Sequence, residues 1–166
     1  MLDISKIESG HLVLNLTRVN YKEFIEECLI YNRLISKKKF IEIEAKFDKD
    51  IPHLEFDKDK IRQVLNNLIS NAIKYSPKSS KIIVKIEKEV NKIITKVIDN
   101  GPGISEEELS NLFEPFHTTS LKSINGERGT GLGLTISKKI IESHNGQIGV
   151  FSQVNKGSTF YFTLPL

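Results

Sequence analysis

Between Asp57 and Ser76 the apolar residues Ile61, Val64, Leu65, Leu68, Ile69, Ala72 and Ile73 recur at steps of three and one. That spacing gathers them on one arc of a 3.6-residue helix, and the arc must be covered by another element to leave water. Asp57 is the expected N-cap, and Pro77 follows the end. The chain supplies a cover directly afterwards. KIIVKIEKE begins at Lys81 and KIITKVID at Lys92, and these two runs, joined around Asn91, predict neighbouring strands of a hairpin.

The remaining segments also switch between helical and strand periods, so the expected class is α+β, in one domain without internal repeats. Met1 to Ser9 reads as the tail of a helix ending at Gly10, and HLVLNLTRV as a strand. Tyr21 to Ser36 reads as a helix with Phe24, Ile25, Cys28, Leu29 and Leu34 as its apolar positions. Phe40 to Phe47 alternates as a half-buried strand does. A helix is expected from about Gly131 to His144, then a turn at Asn145-Gly146, then strands QIGVFS and STFYFTLP around Lys156-Gly157.

Composition narrows the functions. Of 166 residues, 39% are hydrophobic and 27% charged, which is ordinary for a folded soluble domain. The net charge of +3 comes from scattered lysines and aromatics make up only 8%, which argues against a nucleic-acid groove. A single cysteine, Cys28, excludes an internal disulfide or multi-cysteine zinc site and fits a reducing, cytoplasmic compartment. No apolar run approaches membrane-spanning length, and the start lacks a signal peptide's apolar centre.

Three stretches carry chemistry. GERGTGLGLTISKKI, from Gly126 to Ile140, places glycines at 129, 131 and 133 before a helix. It fits neither a Walker loop, since Leu132 follows Gly131, nor a dinucleotide GxGxxG, since Leu134 stands where glycine is needed. Backbone N–H groups free of side chains and a positive helix start would suit a polyphosphate, and Arg128 adds charge. The same residues would equally serve as a turn capping a helix. Gln63, Asn67, Asn71 and Lys74 form one polar stripe on the long helix; it reads as a solvated face or, through the Asn71 amide oxygen, as a ligand set for Mg²⁺. Asp99-Asn-Gly-Pro-Gly103 is a good turn, or else a carboxylate placed to accept from the exocyclic amine of adenine.

Taken in order, NLISNAIKYS (from Asn67), DNGPGI (from Asp99), FEPFH (from Phe113), GTGLGL (from Gly129) and KGSTFYFTLP (from Lys156) resemble the N, G1, F and G2 boxes and the terminal glycine motif of sensor histidine kinases. The resemblance spans nearly the whole chain. It implies a Bergerat-type two-layer α/β sandwich, a mixed sheet with helices on one face, binding ATP and Mg²⁺. By the same resemblance Asn71 ligates the metal, Asn67 and Lys74 contact phosphates, and all three form the catalytic set. Tyr75 lies near the adenine or ribose. Asp99 binds the adenine amine, directly and through a water shared with Thr159, with Gly101 and Gly103 making room and Ile104 beside them. Arg128, Gly129, Thr130, Gly131, Leu132, Gly133 and Leu134 line the triphosphate, and Phe113 and Phe116 bracket a lid.

Related ATPases place a glutamate one turn before the magnesium asparagine to activate water; this chain has Asn67 there. An amide cannot take a proton from water, so the site is suited to holding ATP for another nucleophile. The family's acceptor histidine sits in a motif such as H-E-x-x-T/N-P, and none of His11, His53, His117 or His144 has those neighbours. His11, His53 and His144 read as structural, whereas His117 borders the lid. LDISKIESG, from Leu2 to Gly10, resembles the last turns of the second dimerisation helix, so residues 1–10 are expected to be its end and 11–166 the catalytic and ATP-binding domain. The expected partners are the parent's own dimerisation and phosphotransfer domain and, through it, a response regulator. The isolated domain is expected as a monomer, and its parent as a homodimer, cytoplasmic on this side whether or not membrane-anchored. Ser120 replaces the usual lysine of an FTTK-like motif, leaving Lys122 or Arg128 to supply lid charge. Two alternatives stand beside this reading: a related serine kinase of the anti-sigma-factor type, and a nucleotide-binding module without phosphotransfer.

Overall fold

A computed structural model describes residues 12–117 and 130–166. In chain order the elements are β1 (Thr17–Asn20), α1 (Tyr21–Lys37), β2 (Glu42–Phe47), β3 (His53–Phe56), α2 (Lys58–Tyr75), β4 (Lys81–Lys88), β5 (Lys92–Ile98), α3 (Glu106–Leu109), α4 (Gly133–Ser143), β6 (Ile148–Gln153) and β7 (Gly157–Pro165). Five strands form a mixed sheet in the order β2-β4-β5-β7-β6, and β1 pairs with β3 in a separate two-stranded sheet. Only the β2–β4 pair is parallel; the others are antiparallel.

Register explains the core. Ala45, Val84, Val97, Phe160 and Val150 face one another in a row across all five strands, and Phe47, Ile86, Thr95, Phe162 and Ile148 form the next row. Alternation puts both rows on one face, where α1, α2 and α4 cover them. Thr95 is the polar member of its row, and it is fully buried. Its Oγ1 shares a 2.7 Å hydrogen bond with the hydroxyl of Tyr21, which is also fully buried. Burial pushes the Tyr21 phenol well above its ordinary range. On the open face Lys46, Lys85 and Lys96 stand in one row. Glu87 bridges Lys85 and Lys96 there, which offsets the repulsion.

Helix ends are fixed by local chemistry. Asp57 caps α2, accepting from Asp59 N and Lys60 N at 3.2 and 3.1 Å, as expected from the sequence. Its second oxygen accepts from Asn15 N at 2.9 Å. The two helices α1 and α4 end alike. Ile41 N donates to Ser36 O and Phe40 N to Lys37 O after α1, and Gly146 N to Ile141 O and Asn145 N to Glu142 O after α4. Both are paired-bond C-caps with a left-handed residue, Phe40 at φ 58° and Asn145 at φ 57°. His144 closes α4: its Nε2 accepts from Asp57 N at 3.0 Å and its Nδ1 faces Ile140 O at 2.7 Å. That ties the end of α4 to the start of α2.

The structure departs from the sequence reading at several points. The HLVLNLTRV run is a strand only from Thr17; β3 and the one-turn α3 were not expected. Leu34 is 60% exposed, and the buried places it was expected to share on α1 go to Asn32 and Ser36. Asn32 is admitted because its amide donates to Cys28 O and to Asn66 Oδ1, both at 2.8 Å. The reading of residues 1–10 lies outside the described residues.

Candidate functional site

Strand β5 delivers Asp99 to the end of the sheet, 7% exposed. Its Oδ1 accepts from Gly101 N at 2.8 Å and Ser158 N at 3.2 Å. Oδ2 accepts from none of the described residues, so one carboxylate oxygen is left for a ligand. Burial pushes the Asp99 carboxyl above its ordinary range, while the two backbone N–H groups pull it back. Gly101 lies in the crook between Asp99 and the end of α2: a side chain there would sit 2.9 Å from Asp99 Oδ1 and 3.3 Å from Tyr75 O. Gly103 has a different reason. A Cβ there would run into Gln153 O, and the backbone is left-handed at φ 74°, so the fold itself requires glycine at this position.

The hydroxyl beside Asp99 belongs to Ser158, not Thr159. Asp99 N bonds Ser158 O at 2.9 Å, whereas Thr159 stands opposite Ile98 and Phe151. Alternation therefore turns Thr159 to the other face of the sheet, and its expected place is corrected to Ser158. Ser158 Oγ in turn contacts Ser152 Oγ at 2.9 Å, and Ser152 Oγ receives Ile104 N at 2.9 Å. Ile104 itself is buried in the core.

Helix α2 carries Asn67, Asn71 and Lys74 as a half-buried stripe, ending at half-buried Tyr75. The Asn71 amide has no hydrogen-bond partner among the described residues. The Lys74 ammonium lies 5.4 Å from the centroid of Tyr75 and pairs with no carboxylate among them. Asn67 is engaged: its Nδ2 donates to Ser137 Oγ of α4 at 3.1 Å. Its Oδ1 abuts Gly133, where a Cβ would collide with it. Helix α4 begins there with no side-chain cap, so its first N–H groups are free for an anion. Leu132 N faces Thr130 Oγ1 at 3.4 Å, and Leu134 packs on the core. Gly131 holds φ 70°, with the Phe116 carbonyl carbon 2.7 Å from where a Cβ would be.

Phe113 is partly buried against the core, whereas Phe116 is 71% exposed with φ 60°. Arg128 and Gly129, like Ser120 and Lys122, lie outside the described residues. The hydroxyls of Ser137 and Ser158 were missed from sequence. Nothing local marks either: the Ser137 hydroxyl meets Asn67, 70 positions away, and Ser158 is held at Asp99, 59 positions away, through its backbone N–H.

An amide-bearing helix and an uncapped helix start, set side by side at one end of a two-layer sandwich, suit an anionic ligand; the class so defined is the nucleotide-binding α/β sandwich. Within it, residues 56–166 match the model of the histidine kinase-, DNA gyrase B-, and HSP90-like ATPases, and the chain belongs to that family. It is 38% identical over 167 residues to the adaptive-response sensory kinase SasA of Gloeothece citriformis, covering all of this chain and 42% of that protein. The catalytic domain of histidine kinase ThkA superposes with a TM-score of 0.80 at 34% identity, covering 91% of this chain and 97% of that one. ThkA in complex with response regulator protein TrrA gives 0.78 at 30% identity, covering 98% and 48%. The chain thus spans less than half the length of the curated relative SasA.

Proposed function

We propose that this chain is the ATP-binding catalytic domain of a sensor histidine kinase, holding Mg-ATP and presenting its γ-phosphoryl group to a histidine on a separate dimerisation domain. From Asn67 at the start of α4 to Tyr75 at Gly101 is eight residues of helix, about 12 Å of rise. α2 is thus a floor running from the phosphate end to the base end. Asp99 at one end offers an acceptor to an exocyclic amine, which favours adenine. The free N–H groups of α4 at the other end take the triphosphate, with Lys74 between them.

The residues suit a magnesium ion. Asn71 has an amide oxygen without a described partner, and no cluster of three or more His, Cys, Asp or Glu stands among the described residues. One amide plus phosphate oxygens and waters is the donor set this ion accepts, and it would neutralise charge on the triphosphate. For this chain's own groups, catalysis is then positioning and charge stabilisation by Lys74 and the α4 amides.

The observation that carries phosphotransfer over hydrolysis is the amide of Asn67 one turn before Asn71. Past its first turn α2 has no carboxylate, Asp59 being its sole acid, so nothing on this helix can deprotonate water. ThkA is solved with its response regulator, which supports a response regulator as the downstream partner, reached through a dimeric parent. The test pairs the domain with its parent's helical hairpin and γ-labelled ATP. Acid-labile label should appear on the hairpin only when both are present, and Asn71→Ala should abolish it with the fold intact. Rapid phosphate release by the domain alone would refute the reading.

A further inference from the structure

Helix α1 carries an apolar face that the core does not use. Ile30, Tyr31 and Leu34 are 63, 66 and 60% exposed, and Phe40, just past the helix, is 75% exposed. Their spacing puts the first three on one side of α1, opposite the buried Cys28, Leu29, Asn32 and Ser36. Exposure this high means side chains that project from the surface and do not line a groove. Phe40 stands out further, because its φ of 58° is strained for phenylalanine and free of strain for glycine. Nothing in the fold accounts for its side chain.

The same end of the molecule is basic. Lys39 Nζ donates to Ile73 O at 3.1 Å and Lys74 O at 3.5 Å, and Lys39 O accepts from Ser79 N at 3.4 Å, so the ends of α1 and α2 lie together. This brings Lys37 and Lys38 to the side of Lys78. All three are exposed, and none pairs with an acid among the described residues. Lys81, where the second loop enters β4, is already paired with Glu42 and Glu44. The acids of α1 itself, Glu23, Glu26 and Glu27, all lie in its first half.

Projecting apolar side chains among unpaired lysines match a surface that is anionic outside and apolar beneath, the chemistry of an anionic lipid layer. A partner helix would need anchors repeated at steps of seven, and those places hold Glu23, Glu27 and Lys37. We propose that the tip formed by the end of α1 and the loop after α2 docks on an anionic lipid surface. Leu34 and Phe40 enter the interface, while Lys37, Lys38 and Lys78 meet headgroup phosphates. The contact shares no residue with the nucleotide cleft.

The test is co-sedimentation of the chain with vesicles of about one-third phosphatidylglycerol in phosphatidylcholine, against phosphatidylcholine alone. Binding should appear only with the anionic lipid and fall steeply between about 0.1 and 0.5 M salt. Replacing the three lysines together, as Lys37→Gln, Lys38→Gln and Lys78→Gln, should lower the partition coefficient by roughly a hundredfold, at about fivefold for each. Phe40→Ser should lower it by about tenfold through lost apolar burial. Melting temperature controls for folding of each variant. Absence of binding, or equal binding to both vesicles, overturns the proposal. Binding that survives the triple replacement, or that ignores Phe40→Ser in a folded variant, assigns the contact to other residues and overturns it as well.

Discussion

Replacing Asp99 by asparagine changes one atom and isolates what the carboxylate does. Oδ1 accepts from Gly101 N and Ser158 N, and an amide oxygen can keep both bonds. The new NH₂ then stands where Oδ2 was, facing the ligand. For the fold, two charge-assisted bonds become neutral ones while a buried charge is removed, so stability should change by no more than about 1 kcal/mol. For ATP, a hydrogen bond to a charged group worth about 1.5–3 kcal/mol becomes a clash of two donors, which predicts a loss of roughly 10- to 150-fold in affinity. Guanine presents an oxygen at the same ring position, so GTP should lose less or gain. Competitive displacement of a fluorescent nucleotide by ATP and GTP gives the ratio. A pH series on the fold supplies a second readout. The Asp99 carboxyl is raised by burial, so the parent's share of stability from this group is fullest below its unfolded pKa and is lost as pH rises through the folded one. The stability of Asp99→Asn relative to the parent should therefore improve as pH rises through the carboxylate range. An unaltered ATP-to-GTP ratio in a folded variant would refute the role of Asp99 as the base-reading group.

Tyr21→Phe leaves the Thr95 hydroxyl buried without its 2.7 Å partner, and chemical denaturation should show a loss of about 1–3 kcal/mol. Adding Thr95→Val removes the orphaned group, and the double variant should recover most of that loss. Phe40 occupies the left-handed C-cap position that glycine usually takes, with its side chain 75% exposed. Phe40→Gly should stabilise by about 0.5–1 kcal/mol, whereas Phe40→Ala, which keeps the strain, should not. Asp57 is pushed up by burial, but the N–H groups of Asn15, Lys60 and Asp59 outweigh that and hold its carboxyl below the ordinary range. Its stabilisation is present above the unfolded pKa and is lost as pH falls through the folded one. Asp57→Ala should thus cost about 0.5–2 kcal/mol near neutral pH, by denaturant melts, and the gap should close below about pH 4.

Where a signal was local, the sequence carried it. The apolar arc of α2, its Asp57 cap and the alternation of β4 and β5 each depend on residues a few positions apart, and each matches the structure. Leu34 misled because helical spacing alone does not say which apolar residues face in. The core side of α1 instead accepted Asn32, whose amide is satisfied by Cys28 O and by Asn66 of another helix. Strand β3 has only four residues and pairs with β1, which lies beyond α1 and β2 in the chain. The site followed the same rule. Asp99 and Asn71 were visible as motifs, whereas choosing Ser158 over Thr159 required the register of β5 on β7, and finding Ser137 required the packing of α4 on α2.

Gly131 shows how one residue can join two segments of the fold. Its carbonyl receives Phe116 N at 3.0 Å, and the adjoining turn is held by Thr135 Oγ1 donating to Phe113 O at 3.1 Å. Both bonds tie the FEPF segment to the start of α4, one at Phe113 and one at the left-handed Phe116 itself. A left-handed phenylalanine costs about 1–2 kcal/mol and persists only where its surroundings hold it. Gly131 supplies that hold at the closest approach, because any side chain there would press on the Phe116 backbone. The start of α4 and the FEPF segment are thus tied to each other directly, without a further element between them.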